Sequence, residues 1–154
     1  MRIQILAVGP MRDGPERALV DDYLKRAERI ARQLGVREIA EIELADGGGQ
    51  DKEGERVLAR LDPALTPIRL DERGKAMTSM AFADLLGSAK DRGEPGFAFL
   101  IGGADGHAGA VKSAVPRAIG FGVQTWPHRL ARVMLCEQVY RALSILAGSP
   151  YHRE

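Results

Sequence analysis

An α/β fold built on a mostly parallel sheet is the class this sequence predicts, and three observations predict it. Short apolar runs alternate along the chain with longer charged segments of helical pattern. The run GFAFLIGG, 96 to 103, is continuously apolar, as a strand covered on both faces of a parallel sheet must be. Glycine-bearing loops follow several of these runs, as strand-to-helix turns do in a repeating βα series, where helices cover both faces of the sheet. With 154 residues, 45% apolar and 28% charged, the chain is expected to form one folded domain over 1–154.

The elements follow in order. Residues 2 to 8 form a β-rich run that stops at Gly9-Pro10, and Asp13 with Pro15 opens a charged helical pattern to about Leu34. VREIAEIEL, 36 to 44, alternates apolar and polar residues at period two, the mark of a half-buried strand. ADGGGQ after it reads as a flexible loop, and a second helix is expected over about 51 to 62. TPIRL is a short strand; DERGKAMTS follows it, with Thr78 and Ser79 as candidate caps of a helix running to about Lys90. After the strand at 96 come a further helix and the short strand RAIGFGV.

The last helix, from about Arg129 to Ala147, is apolar nearly all round. At 100° per residue Leu130, Val133, Met134 and Ile145 fall on one side, with Leu135, Val139, Leu143 and Leu146 opposite. One side would cover the chain's own sheet, which predicts that the other meets a second subunit, and hence a homodimer.

Charge and cysteine content narrow the function classes. Twenty-two Lys and Arg stand against twenty-one Asp and Glu, and the sequence pI is near 7.9. That is not the basic surplus by which a protein alone grips nucleic acid. The single Cys136 excludes an intrachain disulfide and a CxxC site. The opening MRIQILAVGP lacks the features of a signal peptide, and no run has the length of a membrane span, so a cytoplasmic protein is expected.

In open α/β sheets ligands bind beyond the carboxyl ends of the strands. Three loops fall there: LDERGK (70 to 75), IGGADGH (101 to 107) and FGVQTWPH (121 to 128). IGGADG lacks the full dinucleotide spacing, and by itself serves equally as a tight turn or a ligand loop. Three such loops together favour a ligand, and Gly122, Trp126 and backbone amides suit a flat aromatic one of adenosine type. Glu137 and Arg141, at i and i+4 in the apolar last helix, read either as a structural pair or as part of a site. Arg132 reads either as a solvated arginine or as a group reaching a neighbour or an RNA phosphate. His128 and His107 read first as local hydrogen-bonding residues. No metal-ligand spacing appears, and no metal is expected. Ser144 and Ser149 lack a nucleophile context and Cys136 lies in a helix that looks buried, which is compatible with a direct transfer from cofactor to substrate.

Taken together, IQILAVG, LDERGK, IGGADG and WPHRLARVMLCEQVYRALSILAGSPYHRE resemble the small SPOUT-class methyltransferases, and within them the bacterial family that methylates N3 of a pseudouridine in large-subunit (23S) ribosomal RNA. The resemblance runs the length of the chain; its most specific part is E-Q-x-Y-R-A followed by P-Y-H-R-E. It implies a single SPOUT domain whose cofactor-binding part, about 67–154, is tied in a deep trefoil knot. It further implies a homodimer, S-adenosyl-L-methionine as cofactor, and a substrate presented by the assembled ribosome.

The resemblance also carries over site residues. Leu70, Gly102, Gly103 and the run Phe121, Gly122, Val123, Gln124, Thr125 and Trp126 match the cofactor-binding positions, although GFGVQTW departs from the family's more usual serine and small aliphatic residues. His152 is the candidate base for the N3 proton. Arg153 and Arg141 would stabilise negative charge or hold phosphate, Tyr151 would stack on or orient the nucleotide, and Glu137 would hold Arg141. His128 and Arg132 are candidate substrate contacts. Two other functions compete: a SPOUT enzyme acting on transfer RNA, and a non-catalytic ribosome- or nucleotide-binding module.

Overall fold

The computed structural model describes residues 1–153; Glu154, the last residue of the P-Y-H-R-E motif, lies outside the described residues. Five strands and five helices alternate: β1 (Arg2–Val8), α1 (Pro15–Gln33), β2 (Glu38–Leu44), α2 (Gln50–Arg60), β3 (Thr66–Ala76), α3 (Ser79–Asp91), β4 (Gly96–Ile101), α4 (Gly109–Ala114), β5 (Ala118–Gly120) and α5 (His128–Leu146). All strand pairs are parallel, in the order β2-β1-β4-β3-β5. The expected fold class and element order are present.

Period-two alternation sorts the strand side chains into two cores. Ile3, Ile5 and Ala7 of β1 and Phe97, Phe99 and Ile101 of β4 face α1, α3 and α5. Leu6, Val8, Ala98 and Leu100 face α2 and α4 through Val57 and Val111. β4 is therefore buried at every position, and this is why its sequence shows no polar alternation. The same alternation on the edge strand β2 turns Glu41 and Glu43 toward the face where α1 and α5 pack, next to Ile39.

Helix boundaries follow local chemistry. α1 begins with Pro15, whose missing N–H costs nothing in the first turn. α3 is capped by Thr78, whose hydroxyl accepts from the Ala81 N–H at 3.1 Å. Ser79 is the first helical residue, so the cap falls on Thr78 alone.

β3 is longer than the five-residue strand expected. The chain leaves the ladder after Leu70 and returns, so that Ile119 of β5 is in register with both Leu70 and Lys75. Gly74 makes this return possible: a Cβ there would stand 2.4 Å from the Ile119 carbonyl carbon, a distance no side chain survives. The segment 71–74 is thus wrapped against β5.

α5 packs between α1 and α3 above β4. Leu135, Val139 and Leu143 are fully buried there, and burial of such side chains stabilises by about 1.5–3 kcal/mol each. The two flanking helices occupy more of its apolar circumference than the wheel suggests. Leu146 sits against Gly87 of α3, and Val133 is also buried within the chain. What α5 leaves accessible is narrower: Leu130 is exposed, and Met134, Glu137 and Arg141 are half-buried. Among the described residues no helix is long and apolar enough to cross a membrane.

Candidate active site

The three loops at the carboxyl ends of β3, β4 and β5 converge on one cleft of about 710 Å³. Leu70, Asp71 and Glu72 form one wall, Ile101 to His107 the second, and Phe121 with Gln124 to His128 the third. The sheet order explains the convergence. β3 lies between β4 and β5, so three neighbouring strands end at the same rim.

Cross-loop hydrogen bonds fix the walls. His107 is buried, with Nε2 3.1 Å from the Leu70 carbonyl oxygen, and it joins the second loop to the first. Burial, with the nearby Arg69, pushes its imidazole below the ordinary histidine range, so it stays neutral and donates to that carbonyl. The Thr125 hydroxyl donates to Glu72 Oε2 at 2.6 Å, which joins the third loop to the first. Trp126 Nε1 donates to the Phe121 carbonyl at 3.2 Å and braces the third loop internally. From α2, Gln50 Nε2 donates to the Asp105 carbonyl at 2.7 Å and so holds the second loop from outside.

The second loop is tight because its glycines allow it. The Gly106 N–H donates to the Gly103 carbonyl at 3.0 Å, and a Cβ on Gly102 would lie 2.7 Å from the Gly106 carbonyl carbon. Bare backbone therefore faces the cleft. Carboxylates stand at its rim. Burial works to raise the Asp71 carboxyl, but the Arg73 backbone N–H and the Arg69 guanidinium outweigh it and hold it below the usual carboxylate range. Asp71 is consequently an anion, paired with Arg69, whose Nε also donates to the Val115 carbonyl at 2.9 Å.

Of the residues carried over to a cofactor, Leu70, Gly102, Gly103, Phe121, Gln124, Thr125 and Trp126 line the cleft. Gly122 and Val123 do not: they form the outer tip of the third loop, Gly122 at φ 106 and Val123 94% exposed. His128 lines the cleft at the start of α5; burial, with Arg132 and Arg129 adding to it, lowers its imidazole from the ordinary range.

Arg132 is not a solvated arginine; it reaches neighbours within its own chain. It is fully buried, donating to Glu41 Oε1 at 3.0 Å, Glu43 Oε1 at 2.7 Å and the Gly9 carbonyl at 2.7 Å. Arg17 shares the same two carboxylates. With its charge committed to β2 and the end of β1, Arg132 faces neither solvent nor a phosphate within this chain. The signal was the pair Glu41 and Glu43, which period two places on one strand face opposite a helical arginine. Cys136 is buried beside this network, and its thiol is pushed up to about 12 by burial.

The remaining candidates form a second cluster away from the cleft. Glu137 Oε1 accepts from Arg141 Nε at 2.9 Å and from the Tyr151 hydroxyl at 3.0 Å. Arg141 Nη1 lies 3.2 Å from His152 Nδ1, and its guanidinium stands 4.8 Å from the Tyr151 ring centroid. Tyr151 packs on Tyr140 with ring centroids 4.5 Å apart. Burial, followed by the bond to Glu137, pushes the Tyr151 phenol up, so it is protonated at neutral pH. Arg153 is exposed. Glu137, Arg141, Tyr151, His152 and Arg153 contribute nothing to the cleft lining. Ala131 is the last residue of α5 to line the cleft; Glu137 and Arg141 follow it by six and ten positions, about 9 and 15 Å at the rise of an α-helix.

The sequence placed His107 on a glycine-rich turn as a local hydrogen-bonding residue and Asp71 and Glu72 within a candidate ligand loop, but gave none of these, nor Gln50, a role of its own. Among the described residues no group of three metal-ligating side chains comes together.

Residues 1–152 match the family described as "Predicted SPOUT methyltransferase". A protein of Hyphomonas neptunium named "Ribosomal RNA large subunit methyltransferase H" is 57% identical over 153 residues, covering 99% of each chain. Proteins of the same name from Cereibacter sphaeroides and Ruegeria pomeroyi are 48% and 45% identical over 155 residues, again across 99% of each chain.

Proposed function

We propose, from the premise that this chain belongs to the SPOUT methyltransferase family, that it methylates large-subunit ribosomal RNA using S-adenosyl-L-methionine, and that the methylated atom is N3 of a pseudouridine presented by the assembled ribosome. The observation that carries the substrate class is the full-length likeness, at 57% identity, to a relative named for ribosomal RNA methylation. The near-neutral charge of +1 supports an assembled particle over free RNA, because a chain without a basic surplus draws little affinity from phosphates alone.

The cleft fits the cofactor. Its volume of about 710 Å³ suits a ligand of that size, and Gly102 and Gly103 line it with backbone alone. Leu70 and Phe121 would offer apolar surface to the adenine, while the Glu72 carboxylate would favour a ligand carrying positive charge. When bound, the cofactor supplies an electrophilic methyl group.

The chain's own residues would then hold the nucleotide. The second cluster begins about 9 Å along α5 from Ala131, the last residue of that helix to line the cleft, and none of its members lines the cleft of the same chain. A homodimer in which α5 of one subunit meets α5 of the other would bring the tail of one to the cleft of its partner. The accessible stripe of Leu130 and Met134, continuous with Glu137 and Arg141, supports that arrangement. The family's trefoil knot, over about 67–154, belongs to the same reading. The wrapping of 71–74 against Ile119 and Gly120 supports it.

Transfer of a labelled methyl group to ribosomes carrying the unmodified pseudouridine, with the product nucleoside identified by mass spectrometry, tests the proposal. Label at N3 of that pseudouridine, with little on protein-free ribosomal RNA, is expected. Equal labelling of the two would remove the ribosome from the reading, and label on transfer RNA would replace the substrate.

A further inference from the structure

Among the described residues, the tail cluster holds a donor that has nothing to donate to. His152 Nδ1 lies 3.2 Å from Arg141 Nη1. A guanidinium carries only N–H groups, so Nδ1 is the acceptor of this bond and the ring proton resides on Nε2. His152 Nε2 is buried and has no hydrogen-bond partner among the described residues. An unpaired buried N–H is costly to keep and is therefore conspicuous in a cluster where Glu137, Arg141 and Tyr151 are all paired.

We infer that His152 serves methyl transfer as a hydrogen-bond donor through Nε2–H, and not as the base that removes the N3 proton. The inference rests on the proposed N3-pseudouridine reaction for its substrate and on the Arg141 contact for its chemistry. For Nε2 to accept a proton, Nδ1 would have to carry one, and two N–H groups would then face each other across 3.2 Å.

The proton balance follows. Water or hydroxide takes the imide N3 proton before transfer, leaving an anion whose charge is shared with the two flanking carbonyl oxygens. The N3 lone pair then forms the bond to the methyl carbon as the carbon–sulfur bond breaks, and that electron pair remains on sulfur, leaving a neutral thioether. His152 Nε2–H donates to one flanking carbonyl oxygen, where it favours the anion over the neutral imide, in the manner of an oxyanion-hole donor. Arg141 holds the ring in the donor tautomer and is a positioning residue.

Two variants separate donor from base. Glutamine at 152 places an amide N–H near the Nε2 position and cannot take up a proton; alanine does neither. His152→Gln is expected to keep single-turnover methylation within about tenfold of the parent, and His152→Ala to lose about 100-fold, the range for removal of one such donor. In all three proteins the rate should rise with pH in parallel, because the ionising group is the substrate imide. Equal loss in both variants, with the rising limb flattened, would restore His152 as the base. The tautomer is read independently of any activity: two-bond nitrogen–proton correlations in the ribosome-free protein should place the proton on Nε2, and a proton on Nδ1 overturns the inference. Product identity in the parent protein reports separately on the substrate, so failure of that reading is distinguishable.

Discussion

The Tyr151 hydroxyl donates to Glu137 Oε1 at 3.0 Å, and this bond ties the chain's tail back onto the middle of its last helix. The same oxygen receives Arg141 Nη2 at 2.6 Å, so one carboxylate orders both a cation and an aromatic ring. Glu137 therefore organises the tail cluster rather than merely pairing with its i+4 neighbour.

Glu137→Ala is expected to release residues 151–153 while leaving the cleft intact. Amide exchange at Tyr151 and His152 should accelerate, calorimetric affinity for S-adenosylmethionine should stay within about twofold, and methylation should fall by about 10- to 100-fold through loss of positioning. A parallel loss of cofactor affinity would show that the two clusters are not separate.

Arg132 is a stability residue. Its replacement by methionine leaves Glu41 and Glu43 with Arg17 as their remaining cation, in a network whose centre is buried. Removing one partner of a buried ion pair costs about 3–5 kcal/mol, and the denaturant midpoint should fall accordingly. The further change of Glu41→Gln should recover part of the loss. A midpoint unchanged in Arg132→Met would contradict the network.

His107 links cleft geometry to pH. Its pKa in the folded chain is held below the ordinary histidine range, chiefly by burial, so the unfolded chain binds more protons than the folded one as the medium is acidified. The associated stability is fully present above the unfolded pKa and is lost as pH falls through the folded one. The denaturant midpoint should therefore drop between about pH 7 and pH 5, a window that brackets the ordinary histidine pKa. His107→Gln, which does not titrate there, should show a smaller drop. His128 is shifted in the same direction and leaves a residual slope.

Much of this was legible in the sequence, for identifiable reasons. The β4 run and the alternation of β2 record burial directly, so the strands and their faces could be read. The three cleft loops were placed because strand ends in parallel sheets gather on one rim. What escaped depends on contacts between residues distant in the chain. The return of β3 to Ile119 is encoded by Gly74, but a glycine in DERGK does not announce what it must clear. Arg132 needed Glu41 and Glu43, about ninety residues earlier, before its burial made sense. His107 needed the carbonyl of Leu70. The tail motif gathered its residues as a group, but only the folded helix shows how far they stand from the cleft of the same chain.

The most direct test of a site shared between subunits is complementation. Ala104→Trp fills the cleft from an exposed lining position, and His152→Ala removes the tail donor. Each variant alone should be nearly inactive on ribosomes, the first without cofactor binding and the second with it. After mixing and subunit exchange, half the dimers are mixed, and each contains one intact cleft facing one intact tail. Methylation should then recover to about one quarter of the parent rate per subunit, as two-fold symmetry requires. Recovery absent from a mixture in which exchange is demonstrated would contradict the account.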